Sequence, residues 1–133
     1  MMPAGVPSIA PRDAAAATDP STATDPATRP LIVDVREADE FSRERVAGAV
    51  LLPISQFVAR HRELPKDRPL LMLCHSGSRS TSATMYLLQS GWPDVRNVTG
   101  GIIGWRYAGL PIVTGAPAPG EGDLEPAGPL APR

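Results

Sequence analysis

The chain has 133 residues, a formal net charge of −1 and a hydrophobic fraction of 42%. This length accommodates one domain with a modest core, and the charge provides no positive surface of the kind that nucleic-acid-binding proteins use. One cysteine and two histidines exclude an internal disulfide and a zinc site of the usual spacing. No apolar segment of the sequence is long enough to span a membrane. The first residues lack the basic start and continuous apolar run of a signal peptide. We expect a soluble cytoplasmic protein that binds neither nucleic acid nor membrane.

The first 30 residues contain little apolar sequence. Residues 6–9 form a short apolar stretch, and the alanine-rich residues after Pro11 favour two helical turns. Residues 17–30 repeat Ala-Thr-Asp-Pro twice and contain no large apolar side chain, which is typical of a flexible connector. For residues 1–30 we therefore expect a first strand and helix followed by a connector.

Four later stretches have the length and apolar content of buried strands. They are residues 31–35, 49–52, 69–74 and 95–98. Helical patterns follow the first three, and a glycine-flanked helix or turn follows the fourth at residues 100–112. Alternation of apolar strands with helices favours a parallel sheet covered on both faces. Residues 114–133 are rich in proline and glycine, which predicts a disordered tail.

The segment CHSGSRS, residues 74–80, joins the third of these strands to a helix. A loop of small residues in this position curls so that its backbone N–H groups form an anion cradle beside the helix N-terminus. Gly77 permits the turn, and Arg79 adds a cation with a forked donor face. The helix N-terminus and the arginine both stabilise a thiolate at Cys74. The pattern favours an activated nucleophile over the alternative, a small buried hydrophobic cysteine.

Four motifs in this order carry a family resemblance: LIVDVREADEF, AGAVLLPISQF, LLMLCHSGSRSTSAT and NVTGGIIGWRYAGLPI. The chain resembles a single-domain rhodanese, a thiosulfate sulfurtransferase-like protein, over residues 31–113. The resemblance implies an α/β fold of three layers, with a central parallel sheet of about five strands flanked by helices. It also implies that residues 6–17 contain the family's first strand and helix, and that the loop cysteine carries a persulfide.

The resemblance also assigns roles to single residues. Cys74 matches the sulfur-carrying nucleophile, and Arg79 matches the last residue of the six-residue cradle, with the catalytic role of holding the anionic donor and stabilising the negative charge of the terminal sulfur. The substrate- and anion-binding loop comprises His75, Ser76, Gly77, Ser78 and Ser80, of which Ser80 begins the next helix. Asp34 and Arg36 match the Asp-Val-Arg signature, and Gly101 and Trp105 match the last motif. The chain departs from the family at Glu44, Arg45 and Val46, where Gly-His-Ile is common.

Three supporting residues have two interpretations each. Asp34 orients the loop or serves as a turn residue. Arg36 contacts substrate or is a surface or helix-start charge. Trp105 packs in the core or closes one side of the pocket.

The implied activity is transfer of a sulfane sulfur from thiosulfate or a similar small anionic donor to cyanide or a thiol. No metal or organic cofactor is expected. With one cysteine, the chain cannot resolve its own persulfide as an internal disulfide, so the acceptor is external and includes a possible sulfur-accepting protein. Two other classes remain open: a cysteine phosphatase or arsenate reductase, and a non-catalytic interaction module. Four residues separate Cys74 from Arg79, one fewer than in phosphatases of related architecture.

Overall fold

The computed structural model describes residues 6–22, 25 and 27–124. The strands are β1 (Ser8–Ile9), β2 (Leu31–Asp34), β3 (Glu44–Arg45), β4 (Val50–Leu51), β5 (Leu70–Leu73), β6 (Val95–Val98) and β7 (Val113–Thr114). The helices are α1 (Pro11–Thr18), α2 (Ala38–Arg43), α3 (Ile54–Arg60), α4 (Ser78–Gln89) and α5 (Gly101–Tyr107). A short 3₁₀ helix at His61–Glu63 continues α3.

Five strands form one parallel sheet in the order β1-β6-β5-β2-β4. The four predicted strands are all present, three of them one or two residues shorter than expected and β6 with the expected bounds. Strands β5 and β2 lie at the centre, where neighbours on both sides and helices on both faces exclude water. Continuous apolar runs suit these positions, and the predicted α/β fold with a central parallel sheet is confirmed.

Side chains of β5 alternate between two hydrophobic clusters, as the pleat of a strand requires. Leu70 and Met72 pack in a cluster that includes side chains of α3 and α4. Leu71 and Leu73 pack in a second cluster that includes side chains of α1, α2 and α5. The sheet is therefore the middle of three layers.

The N-terminal segment completes the sheet. Strand β1 pairs with β6, and α1 packs beside α5. Helix α1 includes Thr18, so the predicted connector begins later than the pattern indicated. Near the end of this connector, the Arg29 carbonyl accepts a hydrogen bond from Arg68 Nε at 2.6 Å. Residues 1–5, 23, 24 and 26 lie outside the described residues.

The region predicted as a tail differs from expectation in its first part. Strand β7 pairs antiparallel with β3 and extends one residue past the expected domain end at residue 113. Beyond it, Gly115 O accepts a hydrogen bond from Arg45 Nη1 at 2.6 Å, and Gly122 O accepts one from the Leu51 N–H at 2.7 Å. The buried Arg45 and the edge strand β4 thus offer partners that composition does not reveal. Residues 125–133 of the predicted tail lie outside the described part.

The described residues contain neither a membrane-spanning helix nor a metal-ligand cluster. None of the helices in these ranges has the length and hydropathy to cross a bilayer. Within the same ranges, no three His, Cys, Asp or Glu side chains are grouped so that they could hold a metal ion.

Candidate active site

Cys74 follows the last residue of β5, at the carboxyl edge of the sheet. Leu73 is in register with Asp34 at the end of β2. In this sheet, β2 is followed in the chain by β4 on one of its sides and then by β5 on its other side. The direction in which strands are added therefore reverses between β2 and β5. A change of direction of this kind leaves a crevice at the carboxyl ends of the strands, where parallel sheets place their sites. Cys74 lies at this end of the two central strands.

The Cys74 sulfur is surrounded by hydrogen-bond donors. Its residue is 1% exposed, and Sγ accepts the backbone N–H groups of Gly77 at 3.1 Å and Ser80 at 3.3 Å. Ser80 Oγ also lies 3.3 Å from Sγ. Because the Ser80 N–H belongs to the first turn of α4, the helix dipole adds to the stabilisation of negative charge on the sulfur.

Helix α4 begins at Ser78, so the prediction that Ser80 begins it is wrong by two residues. Gly77 precedes the helix with a φ of +110°, a left-handed conformation that glycine adopts without a Cβ penalty. The Thr81 N–H donates to Gly77 O at 3.0 Å. The early start brings the Ser80 N–H into the first turn, from which it reaches the sulfur.

The first turn of α5 holds the loop from the other side. Ile102 N–H donates to Cys74 O at 2.8 Å, and Ile103 N–H donates to His75 O at 3.1 Å. This approach requires glycine at position 101, because a Cβ there would lie 2.5 Å from His75 O and 2.6 Å from Cys74 O. Gly101 also has a φ of +62°. The glycine of the last motif is therefore explained by its close contact with the loop backbone.

Ser80 links the sulfur to β6. Its hydroxyl lies 2.6 Å from Asn97 Oδ1 and 3.2 Å from Gly77 O. Ser80 and Cys74 are fully buried, and Asn97 is 8% exposed. Because these groups are removed from water, their hydrogen bonds hold the hydroxyl in one position beside Sγ.

Arg79 forms an ion pair with Glu40, a contact that the sequence did not predict. Its Nη1 and Nη2 donate to Glu40 Oε1 and Oε2 at 2.7 and 2.9 Å, a bidentate contact between α4 and α2. Hydrogen bonding by Arg79 holds the pKa of the Glu40 carboxyl at about 2, below its ordinary value of 4.5. The same contact raises the pKa of Arg79.

Asp34 and Arg36 form a buried ion pair near this edge of the sheet. Arg36 Nη2 lies 2.8 Å from Asp34 Oδ2, and the Arg36 N–H donates to Oδ1 at 2.9 Å. Arg36 Nη2 also donates to Glu44 O at 2.7 Å. These contacts favour the interpretation of Asp34 as a turn residue. Arg36 is a buried residue rather than a surface charge, and its hydrogen bond to Glu44 O ties the end of β2 to the end of α2.

The remaining predicted residues have separate surroundings. His75, Ser76 and Ser78 are exposed at the surface of the loop. Trp105 is 3% exposed, packs in the cluster of α1, α2 and α5, and donates its indole N–H to Pro111 O at 3.0 Å. Its environment is that of a core residue.

Sequence reasoning missed the roles of Asn97 and Glu40. Asn97 is a polar residue within the strand sequence VRNV, and its place near the carboxyl end of a strand beside β5 was a usable signal. Glu40 lies in the first turn of α2, where it forms a capping box with Glu37. Its contact with Arg79 spans 39 residues of chain, and no local pattern indicates it.

Comparisons with known proteins agree with this geometry. The family model described as "Rhodanese-like domain" matches residues 16–108. A protein named "Sulfurtransferase" from Allochromatium vinosum is 43% identical over 83 residues, which are 62% of this chain and 78% of that protein. The "Thiosulfate sulfurtransferase GlpE" of Actinobacillus succinogenes is 34% identical over 84 residues, which are 63% of this chain and 76% of that protein.

A solved structure gives the same result for the fold. The crystal structure of a rhodanese-related protein from Thermoplasma volcanium superimposes with a TM-score of 0.69 at 29% sequence identity. The match covers 80% of this chain and 97% of that one. The family model spans most of the sheet, the cysteine loop and the α5 glycines that hold it, and the chain therefore belongs to the rhodanese-like domain family.

Proposed function

We propose that this protein is a sulfurtransferase that carries a sulfane sulfur as a persulfide on Cys74. The observation that carries the proposal is the environment of Sγ, which accepts N–H groups from Gly77 and Ser80 at the start of α4. Donors in fixed positions stabilise negative charge without reorganising during the reaction. The naming of two relatives as sulfurtransferases supports the same activity.

In the first half-reaction, the Cys74 thiolate attacks the sulfane sulfur of thiosulfate or a similar small anion. A sulfur–sulfur bond forms at Cys74, the sulfur–sulfur bond of thiosulfate breaks, and sulfite leaves with the bonding electron pair. The reaction conserves charge and needs no oxidant. A donor reaches the loop from its exposed side, on which His75, Ser76 and Ser78 lie.

In the second half-reaction, a thiophilic acceptor removes the outer sulfur. Cyanide attack on the persulfide forms thiocyanate and regenerates the thiolate, and a thiol acceptor becomes a persulfide in the same way. Cys74 is the chain's one cysteine, so the acceptor comes from outside this chain. A small thiol or a thiol-bearing protein fills this role.

Intact-mass measurement tests the proposal. Incubation with thiosulfate is expected to add the mass of one sulfur atom, and cyanide is expected to remove it. Cys74→Ser, with its folding checked by circular dichroism, is expected to remain unmodified. A wild-type mass that stays unchanged with thiosulfate, methanethiosulfonate and an organic persulfide would refute sulfur transfer.

Hydrolysis of an aryl phosphate tests the phosphatase alternative. Four residues lie between Cys74 and Arg79, and such a short loop leaves little room for donors around the equator of a transferring phosphoryl group. We expect negligible release of p-nitrophenol from p-nitrophenyl phosphate. Appreciable hydrolysis that disappears in Cys74→Ser would favour a phosphatase instead.

A further inference from the structure

The cation of the cysteine loop already has a counter-ion. Arg79 directly precedes Ser80, whose N–H contacts the Cys74 sulfur, and its guanidinium makes a bidentate contact with Glu40. The side chains of Arg79 and Glu40 are 33% and 22% exposed. The two charges sum to zero, so an incoming anion meets a neutral pair rather than a bare arginine.

Glu40 is fixed from its own helix as well. It is the third residue of α2, and its Oε1 accepts the backbone N–H of Glu37 at 2.9 Å. Together with the two contacts from Arg79, the carboxylate accepts three hydrogen bonds. Because these contacts hold the pKa of Glu40 at about 2, the group stays ionised at neutral pH. At neutral pH the ion pair with Arg79 therefore always contains this negative charge.

Arg79 lies within electrostatic reach of the sulfur. Among the causes that raise the pKa of Arg79, the hydrogen bond to Glu40 comes first, and the charge of Cys74 contributes as well. Because Glu40 holds the Arg79 guanidinium through two hydrogen bonds, removing the Glu40 charge frees the arginine charge for an anion bound at Cys74. Because both side chains of the pair are partly exposed, water screens their charges, and one unit charge then changes the interaction with a nearby one by roughly 1 kcal/mol, which is about fivefold in affinity.

We infer that Glu40 determines specificity by donor charge. The inference rests on the proposed function and deepens it: by neutralising Arg79, Glu40 disfavours doubly charged donors such as thiosulfate relative to donors with one negative charge. The Glu40 carboxylate repels each added negative charge on the donor. Arg79 does not compensate for this repulsion, because its charge is already paired with Glu40. The natural donor class is then an organic molecule that carries the sulfane sulfur and has one negative charge, such as an organic persulfide.

Two donors of similar shape and different charge provide the test. Thiosulfate is a dianion, and methanethiosulfonate replaces one of its charged oxygens with a methyl group, which leaves a monoanion. In Glu40→Gln, the kcat/KM for thiosulfate relative to that for methanethiosulfonate is expected to rise about fivefold at constant ionic strength, mainly through a lower KM for thiosulfate. An unchanged ratio in a folded Glu40→Gln would overturn the inference.

Asp39→Asn is the matched control. Asp39 is the neighbouring residue of α2, is 73% exposed and pairs with Arg43. The substitution removes the same charge from the same helix without touching the Arg79 contact, so the donor ratio is expected to change by less than about twofold. A shift equal to that of Glu40→Gln would show that helix charge in general, rather than the pair, sets the ratio, and would overturn the inference.

A second variant and a binding measurement keep the inference testable. Glu40→Asp retains the charge but shortens the side chain and so weakens the bidentate contact with Arg79. Its donor ratio is expected to exceed that of wild type by less than about fivefold, and this variant replaces Glu40→Gln if Glu40→Gln does not fold. Sulfate and methanesulfonate, a non-reacting dianion and monoanion, can be compared as protectants of Cys74 against iodoacetamide. In Glu40→Gln, sulfate is expected to protect Cys74 at a lower concentration than in wild type, whereas protection by methanesulfonate changes little. Protection constants for both anions that are the same in Glu40→Gln and wild type would contradict the inference.

The two measurements separate the two proposals. If no donor transfers sulfur to the wild type, the proposed function fails, while sulfate protection still tests the charge selectivity of the loop. If sulfur is transferred but neither the donor ratio nor the protection constants respond to Glu40, the inference about Glu40 fails alone.

Discussion

The backbone N–H of Ile102 donates to the carbonyl oxygen of Cys74 over 2.8 Å. This hydrogen bond joins the first turn of α5 to the residue that carries the thiol, and Ile103 makes the next one to His75. The loop is thus held at its end by α4, which follows it directly in the chain. It is held from the other side by the first turn of α5, which donates to its backbone carbonyls. Positions that allow α5 to approach are as important for the site as the loop itself.

Gly101→Ala tests this approach. The added Cβ would lie 2.5 Å from His75 O, and the φ of +62° is left-handed. Backbone strain of about 1 kcal/mol and overpacking of about 1–3 kcal/mol are expected to lower the free energy of unfolding by roughly 3 kcal/mol. Urea unfolding measures this loss, and the rate of persulfide formation is expected to fall with it.

Gly109→Ala is the control for Gly101→Ala. Gly109 has a similar φ of +77°, but no atom lies within 4 Å of the position that a Cβ would take there. This variant is expected to lose about 1 kcal/mol from backbone strain alone and to keep its persulfide rate. Equal losses in the two variants would show that the contact with the loop carbonyls contributes nothing.

Ser80→Ala tests the hydroxyl beside the sulfur. The substitution removes Oγ at 3.3 Å from Sγ but keeps the backbone N–H that Sγ also accepts. The one hydroxyl proton is shared with Asn97 Oδ1, so turning it towards the thiolate brings a net gain at the lower end of the range for a charged partner, about 1.5 kcal/mol, and persulfide formation at saturating donor is expected to slow by roughly 10-fold. Stopped reactions analysed by intact mass provide the rate.

Thr84→Val is the matched control for Ser80→Ala. Thr84 is fully buried one turn further along α4, and its hydroxyl donates to Ser80 O at 2.7 Å. Its loss removes a comparable buried hydrogen bond without removing a group beside the sulfur, so the rate is expected to stay within about threefold of wild type. Equal rates in the two variants would mean that Ser80 acts through helix stability.

Glu40 predicts a specific acid dependence of stability. Its pKa is about 2 in the folded protein, against an ordinary value of 4.5. Since the folded value is the lower one, the Arg79 contact stabilises the fold fully above about pH 5 and loses this effect as pH falls through about 2. After allowance for partial exposure, the effect is about 2 kcal/mol.

Urea unfolding between about pH 6 and pH 2.5 checks this dependence. The free energy of unfolding of Glu40→Gln is expected to fall less steeply with acid than that of wild type. Asp39→Asn is expected to follow the wild-type slope. Parallel curves for wild type and Glu40→Gln would contradict the ion-pair assignment.

Two truncations test the segment that follows β7. A chain ending at residue 114 loses Glu121, which forms an ion pair with the buried Arg45 at 2.5 Å, and Gly122, which accepts the Leu51 N–H. Its Tm is expected to fall by several degrees, because a buried charge and an edge-strand donor lose their partners. A chain ending at residue 124 keeps these contacts and is expected to retain the wild-type Tm.

Activity separates support of the fold from a role in the site. At a temperature well below both midpoints, turnover of thiosulfate is expected to agree within about twofold between the two truncated chains. Equal midpoints would show that the contacts of residues 115–124 do not stabilise the domain. A large activity loss in the shorter but folded chain would show that this segment also serves the site.

The sequence determined the central strands and the local parts of the site. Strands β2 and β5 lie within continuous apolar runs, and burial on both faces of a parallel sheet is what such runs encode. Cys74, Gly77 and Ser80 lie within seven consecutive residues, so a strand, a turn and a helix start suffice to bring them together. Their catalytic roles stay predictions until sulfur transfer is measured.

Only the tertiary structure decided which partners these residues have. Glu40 meets Arg79 across 39 residues of chain, and Asn97 meets Ser80 across 17. The two-residue strands β3 and β7 pair across a long stretch of chain, and segments this short carry no periodic signal. Composition likewise favoured disorder for residues 115–124, whereas a buried arginine and an open strand edge hold them. Long-range contacts depend on how the layers pack, and local sequence patterns do not contain that information.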